Sequence, residues 1–137
     1  MEILHYRTHL SLNIIFLLVL SCAGRHLQES YKPILGSWRT EKGIIMSIQI
    51  SPYGDAVAIV KTAPGFITED IQTGKAVINH IKPLVDGGFS GIFEMPDGLE
   101  PVTVKMGFTS HDTLLIITWD RRAKSKVMRW QRIRNSQ

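Results

Sequence analysis

A strand, a turn and a second strand follow one another in the stretch IIMSIQIS-PYGD-AVAIVKT, residues 44–62. Every second residue from Ile44 to Ile50 is apolar, and Ser47 and Gln49 lie between them. This period of two residues is typical of a strand with one buried face. Pro52-Tyr53-Gly54-Asp55 supplies the residue types of a tight turn. The stretch therefore predicts a β-hairpin with one face in a core.

Similar runs of strand-forming residues recur from Ile34 onward at intervals of roughly 8–14 residues. Clusters of Gly, Pro, Asp and Ser separate them. We predict eight strands, at residues 34–40, 44–51, 56–62, 75–82, 89–95, 101–108, 113–120 and 126–133. Because no segment shows a long apolar period of 3.6 residues, we expect little helix.

Eight short antiparallel strands predict an all-β fold, a small up-and-down barrel that exposes no strand edge. A two-sheet β-sandwich is the alternative. The chain has 137 residues, of which 44% are hydrophobic and 20% charged, enough for one globular domain. The interior of an eight-stranded barrel is either filled by side chains or holds one small ligand.

The first residues predict targeting rather than folding. An uncharged run, IIFLLVL at residues 14–20, extends back through Leu12 and Leu10 and follows Arg7. It is shorter than the ~20 apolar residues of a membrane-spanning helix, but it fits the ~7–15 of a signal-peptide core. We therefore expect a signal peptide over residues 1–21, a polar tether over 22–33 and the barrel domain over 34–134.

The segment Val19-Leu20-Ser21-Cys22 resembles the lipobox of bacterial lipoproteins, with an apolar residue at −3 and a small residue at −1 before a Cys. The resemblance implies that Cys22 is lipidated, becomes the mature N-terminus and anchors the protein in a membrane. The implied location is the bacterial cell envelope, facing the periplasm or the exterior. An ordinary secretory signal, cut near Gly24, is the alternative and would release a soluble protein.

Gly36-Ser37-Trp38 resembles the Gly-x-Trp motif on the first strand of lipocalins and related calycin barrels. In those proteins the Trp closes one end of the barrel and a basic residue of the last strand packs across its ring. The resemblance implies this closure for Trp38, with Arg132 as the basic partner. A guanidinium over an indole contributes about 0.5–2 kcal/mol.

A wider pattern, over roughly residues 34–134, is similar to a bacterial group of secreted lipocalin-like domains of unknown function. The matching residues are Gly91-Ile92-Phe93, the turn Asp97-Gly98 and Trp130-Gln131-Arg132. The resemblance implies a fold and an envelope location, and it implies no activity.

The search for catalytic and metal-binding residues gives no constellation. Gly88-Phe89-Ser90-Gly91 is one residue short of a Gly-x-Ser-x-Gly elbow, and Ser90 lies inside a predicted strand. His80 and His111 have no ligand spacing, and we interpret both as exposed polar residues. The single cysteine excludes an intrachain disulfide and Cys-cluster metal sites. We therefore predict no enzyme, no metal and no cofactor.

Binding is the function that the sequence favours. The residues expected to face inward form a methionine-rich set that suits a small hydrophobic ligand: Met46, Ile48, Phe93, Met95, Val104, Met106 and Phe108. A solid packed core needs the same residues. Two functions therefore remain open: binding of a small apolar or amphipathic molecule, and a protein-interaction module, such as an inhibitor or an assembly accessory factor, with a filled barrel.

The C-terminal residues are strongly basic. Residues 120–137 contain seven basic residues and one acidic residue, whereas the whole chain has 16 basic and 12 acidic residues. Arg121, Arg122, Lys124 and Lys126 are candidate contacts for an anionic envelope component, either lipid headgroups or polysaccharide. A solvated hairpin is the alternative. We expect no nucleic-acid partner, because export would remove the protein from the compartment that contains nucleic acid.

Overall fold

The structure, a computed structural model, describes residues 29–65, 72–95, 99–119 and 122–134. The chain divides into two units, Met1–Lys32 and Pro33–Gln137. In the described part of the first unit, residues 29–31 form one helical turn, in which the Lys32 amide donates to the Glu29 carbonyl. This turn lies in the segment predicted to be a polar tether. The predicted signal peptide and Cys22 lie outside the described residues.

Eight antiparallel strands build the second unit: β1 (Gly36–Thr40), β2 (Ile45–Ile50), β3 (Ala56–Thr62), β4 (Ala76–Pro83), β5 (Phe89–Phe93), β6 (Val102–Ser110), β7 (Thr113–Trp119) and β8 (Ser125–Arg132). Each strand pairs with the next, and β8 pairs with β1, which closes the barrel. The predicted all-β, eight-stranded antiparallel barrel is confirmed, and the sandwich alternative is wrong. The strand ends differ from the predicted ones by two residues at most, and Met95 lies beyond the end of β5.

Strand alternation places the core inside the barrel. Met46 and Ile48 of β2 are buried, and their paired neighbours on β3, Val60 and Ala58, are buried as well. All the buried side chains of the described residues are apolar. The period of two residues therefore separates an apolar interior from a mixed outer surface, as in other closed barrels.

Strand β4 carries one extra residue at His80. Asn79 pairs with Ile92 and Lys82 with Ser90, so three steps on β4 oppose two steps on β5. His80 takes up the difference with a positive φ of 52°, a conformation that non-glycine residues adopt rarely. The sequence placed His80 near a strand end, whereas it lies within β4.

The bulge explains the glycine at position 91. Ile78 and Ile81, on either side of the bulge, both lie in the core, and Gly91 of β5 faces them. A Cβ at position 91 would lie 2.7 Å from Cγ2 of Ile78 and 3.3 Å from the Asn79 carbonyl oxygen. Only a glycine leaves room for both isoleucines.

We expect Gly91→Ala to lower the free energy of unfolding by about 1–3 kcal/mol, because an inserted methyl group overpacks the core. Gly107→Ala is the matched control, since a Cβ at Gly107 in β6 has no neighbour within 4 Å. Urea denaturation measures both variants. Equal unfolding midpoints would contradict the assignment of Gly91 to a close approach.

Candidate functional site

The connections between strands divide over the two ends of the barrel. The chain enters β1 and leaves β8 at one end, which also carries the turns after β2, β4 and β6. We call this the closed end. The turns after β1, β3, β5 and β7 lie at the opposite end, which we call the open end.

Aromatic side chains fill the closed end. Trp38 is fully buried, and its Nε1 donates a hydrogen bond of 2.9 Å to the Ile34 carbonyl oxygen. The ring of Phe108 lies 6.1 Å from that of Trp38, and Phe89 packs edge-on against Phe108 at 6.4 Å. We call Trp38, Phe89 and Phe108 the aromatic plug. Such ring pairs contribute beyond the area that they bury.

Arg132 lies over the plug and ties it to the backbone. Its guanidinium carbon is 4.2 Å from the centre of the Trp38 ring, as the lipocalin resemblance implied. The same group donates to the carbonyl oxygens of Leu35, at 3.1 Å, and Pro33. Burial lowers the pKa of Arg132 from its ordinary value. The partly desolvated cation is therefore held by a ring and by carbonyl dipoles.

The open end leads into a cavity of about 690 Å³. Its apolar lining comes from most of the strands and comprises Ile44, Met46, Val60, Ala76, Val77, Phe93, Met95, Val102, Val127, Met128 and Trp130, besides Trp119 at the mouth. Aromatic rings therefore pack at one end of the barrel, and a largely apolar cavity that is open to solvent lies at the other.

The predicted ligand-facing residues fall into three groups. Met46, Phe93 and Met95 line the cavity. Phe108 belongs to the plug, and the remaining three, Ile48, Val104 and Met106, are buried in the packed core.

The sequence analysis missed several lining residues. Val60, Val102, Met128 and Trp130 line the cavity, although none was proposed as a ligand contact. The alternation of β3, β6 and β8 could have identified all four, because they occupy inward positions of those strands.

Charged side chains surround the mouth of the cavity. Lys42, Lys75, Lys124 and Lys126 contribute to its lining, together with Glu41, Glu94 and Arg129. The Glu94 carboxylate accepts a hydrogen bond of 3.1 Å from Nδ2 of Asn79. Of the predicted anionic-surface contacts, Lys124 and Lys126 therefore lie at the mouth. Arg122 is exposed, and Arg121 lies outside the described residues.

Two histidines meet carboxylates on the outer surface. Nδ1 of His80 lies 2.9 Å from Oδ2 of Asp55, and the Ser51 hydroxyl donates to the other carboxylate oxygen. The bond from Ser51, followed by His80, lowers the pKa of Asp55. Because Ser51 bonds the carboxylate and not the imidazole, this is not the order of a nucleophile and its base.

The second pair is more exposed. Nδ1 of His111 lies 3.2 Å from Oδ1 of Asp112, and Arg134 donates to the same carboxylate. The Arg134 bond is the main reason why the pKa of Asp112 is lowered. Neither pair contributes to the cavity lining. Within the described ranges, no three His, Cys, Asp or Glu side chains gather in a metal-binding arrangement.

We expect Arg132→Lys to lower the free energy of unfolding by about 2 kcal/mol, because lysine retains the charge but loses the planar fork and part of the ring contact. Arg129→Lys is the control, since Arg129 is exposed on the same strand. Urea denaturation followed by tryptophan fluorescence compares the two. A loss no greater than that of the control would contradict the role given to Arg132.

The Asp55 cluster predicts a pH-dependent stability. A carboxylate whose folded pKa is lowered stabilises the fold above its unfolded pKa, about 3.9, and this contribution is lost as pH falls through the folded value. We therefore expect Asp55→Asn to be less stable than the parent protein at neutral pH, with a difference that shrinks below about pH 4. Denaturation at several pH values tests this. A constant difference across the acid range would refute it.

Comparison of the chain with protein-family models, with curated proteins and with solved structures finds no match in any of the three. Among the helical residues that the structure describes, no segment is long and apolar enough to cross a membrane. The fold and the cavity are therefore the basis on which a function is assigned.

Proposed function

We propose that the protein is a lipoprotein of the bacterial cell envelope whose lipocalin-like barrel binds a small apolar or amphipathic molecule without catalysis. The observation that carries this proposal is the cavity at the open end. Its volume of about 690 Å³ lies within the ~300–1,000 Å³ that is usual for small-molecule pockets.

The chemistry of the lining supports an apolar ligand. Met46, Met95 and Met128 contribute flexible, polarisable side chains that adapt to irregular shapes. Phe93 and Trp130 add flat apolar surface to the same cavity. Since the buried side chains of the described residues are all apolar, recognition inside the barrel depends on shape and on hydrophobic burial.

The mouth supports an amphipathic ligand in particular. Lys126 lies on the inward row of β8, two residues before Met128, and Lys42 and Lys75 contribute from neighbouring turns. A molecule with an apolar body and a polar end would place the body among the methionines and the end at this cationic mouth, with both parts in a suitable environment.

The envelope location rests on the sequence. The lipobox resemblance at Cys22 supplies the anchor, and the basic residues Arg121, Arg122, Lys124 and Lys126 supply a contact for an anionic envelope component. The closed eight-stranded barrel with a Trp beneath an Arg is compatible with a lipocalin-like domain. A secreted, soluble protein is the alternative location.

A protein-interaction module is the second candidate. The closed end favours it, because the rings of the aromatic plug pack against one another there. Exposed apolar side chains on the outside favour it too, since Trp119 is 41% exposed and Val127 47% exposed. In this case the cavity would be incidental and the outer surface would carry the function.

Filling the cavity distinguishes the two candidates. Thr118 occupies an inward position of β7 on the lining, so Thr118→Phe should fill the cavity and lower the affinity for a neutral apolar fluorophore by at least about tenfold. Thr103→Phe is the matched control, because Thr103 is exposed on the outer face of β6. The measurement is fluorophore titration of residues 23–137, exported to a bacterial periplasm and purified without detergent.

Circular dichroism and urea denaturation first establish that both variants are folded. Binding by the parent and by Thr103→Phe, with weak binding by Thr118→Phe, supports the ligand proposal. If the parent does not bind, or if both variants bind as the parent does, the ligand site is refuted and the interaction module takes its place.

A further inference from the structure

The barrel strands contain basic residues and no acidic ones. None of the seven Asp and Glu residues in the described ranges lies in β1–β8, whereas seven of the 13 described Lys and Arg residues do. Five of the seven, Arg39, Lys61, Lys82, Lys105 and Arg129, occupy outward positions, opposite in the alternation to buried neighbours. The described outer wall of the barrel is therefore cationic.

On β6, β7 and β8 these cations flank apolar side chains. Lys105 pairs with Ile117, which pairs with Val127, and Leu115 in the next row pairs with Arg129. Paired residues on one face have Cβ atoms about 4.5–5.5 Å apart, so the five side chains form a contiguous patch. We call Lys105, Leu115, Ile117, Val127 and Arg129 the β6–β8 wall.

The apolar part of this wall is accessible. Val127 is 47% exposed, and Leu115 and Ile117 are half-buried. Gly107, beside Leu115 on β6, has no side chain, and a Cβ there would meet nothing within 4 Å. The glycine therefore leaves the side of Leu115 open. Trp119, 41% exposed, lies at the end of the same outward row of β7.

We propose that the β6–β8 wall docks on an anionic lipid surface. Lys105 and Arg129 attract acidic headgroups, and no strand carboxylate opposes them. Val127 and Ile117 enter the boundary between headgroups and acyl chains, and the indole of Trp119 suits the headgroup level. An acidic polysaccharide satisfies the cations but offers no apolar phase for Val127 and Ile117. The combination therefore favours a lipid surface.

This surface adjoins the proposed ligand cavity, because Val127 and Arg129 also contribute to the cavity lining. It differs from the contacts predicted at Arg121, Arg122, Lys124 and Lys126. Of these, the described residues Arg122, Lys124 and Lys126 lie between β7 and β8 or at the start of β8, whereas the β6–β8 wall is the side of the barrel. Docking through the wall lays the barrel on its side against the lipid, and this orientation can be measured.

A site-specific fluorescent label tests the orientation. The single cysteine allows a Cys22→Ser background in which Val127→Cys carries an environment-sensitive dye. The full chain is reconstituted in vesicles of phosphatidylglycerol and phosphatidylcholine, or of phosphatidylcholine alone. Val57→Cys is the matched control, because Val57 lies on the outer face of β3, on the far side of the eight-stranded ring from β7. The N-terminal apolar segment is common to all variants.

We expect a blue shift of the dye at position 127 in anionic vesicles, and none at position 57. The shift should disappear at about 1 M salt, where the screening length is about 3 Å. Lys105→Gln and Arg129→Gln should each weaken docking roughly fivefold. Lys61→Gln and Lys82→Gln, on the other side of the barrel, should not.

Each other result overturns the proposal. No shift at position 127, or equal shifts at 127 and 57, removes the β6–β8 wall as the docking face. An equal shift in phosphatidylcholine alone removes the requirement for anionic lipid. A blue shift at position 127 with soluble dextran sulfate would assign the wall to an anionic polymer instead. Urea denaturation of the glutamine variants confirms that the fold is retained in each comparison.

Discussion

The barrel depends on the closure between its first and last strands. Only three residue pairs join β1 to β8, and one of them is Trp38 with Arg132. Arg132 also binds backbone carbonyls before β1 and lies over the Trp38 ring, so a single side chain ties the two ends of the sheet together. Closure leaves neither strand as an exposed edge. The same contact places aromatic rings at one end of the barrel, and the cavity lies at the other.

The strands could be predicted from the sequence because alternation is a local property. Most positions of the strands alternate, although the pairing also shifts near the end of β3 and the end of β6. A residue such as Met46 therefore shows its inward direction by its neighbours alone. The bulge at His80 breaks this rule, since Ile78 and Ile81 both face inward across three steps of chain. No local pattern indicates that Gly91, on another strand, makes room for them. The glycine and the bulge are explained only by the pairing of β4 with β5.

The cavity could not be predicted, because packed and hollow barrels use the same inward residues. Phe93 of β5 and Phe108 of β6 both occupy inward positions. Phe93 nevertheless lines the cavity, whereas Phe108 packs in the plug. The difference arises from their distance along the barrel from Trp38, which fills the space around Phe108. The volume of the cavity therefore depends on which side chains from several strands lie at the same height in the barrel. The sequence of one strand does not predict it.

The strands carry basic residues and no acidic ones, and this distribution bears on the function of the outer wall. Like charges on neighbouring strands repel, but exposed charges further apart than the screening length of about 8 Å affect one another little at physiological salt. Lys105 and Arg129 stand on β6 and β8, with β7 between them, so their repulsion costs the fold little. Equally, they stabilise it little, because surface charges seldom contribute more than about 1 kcal/mol. Folding therefore explains the alternation of the barrel and the identity of its buried residues, but it does not explain a wall of one sign. The proposed docking on an anionic lipid surface would account for it, since acidic headgroups attract these charges.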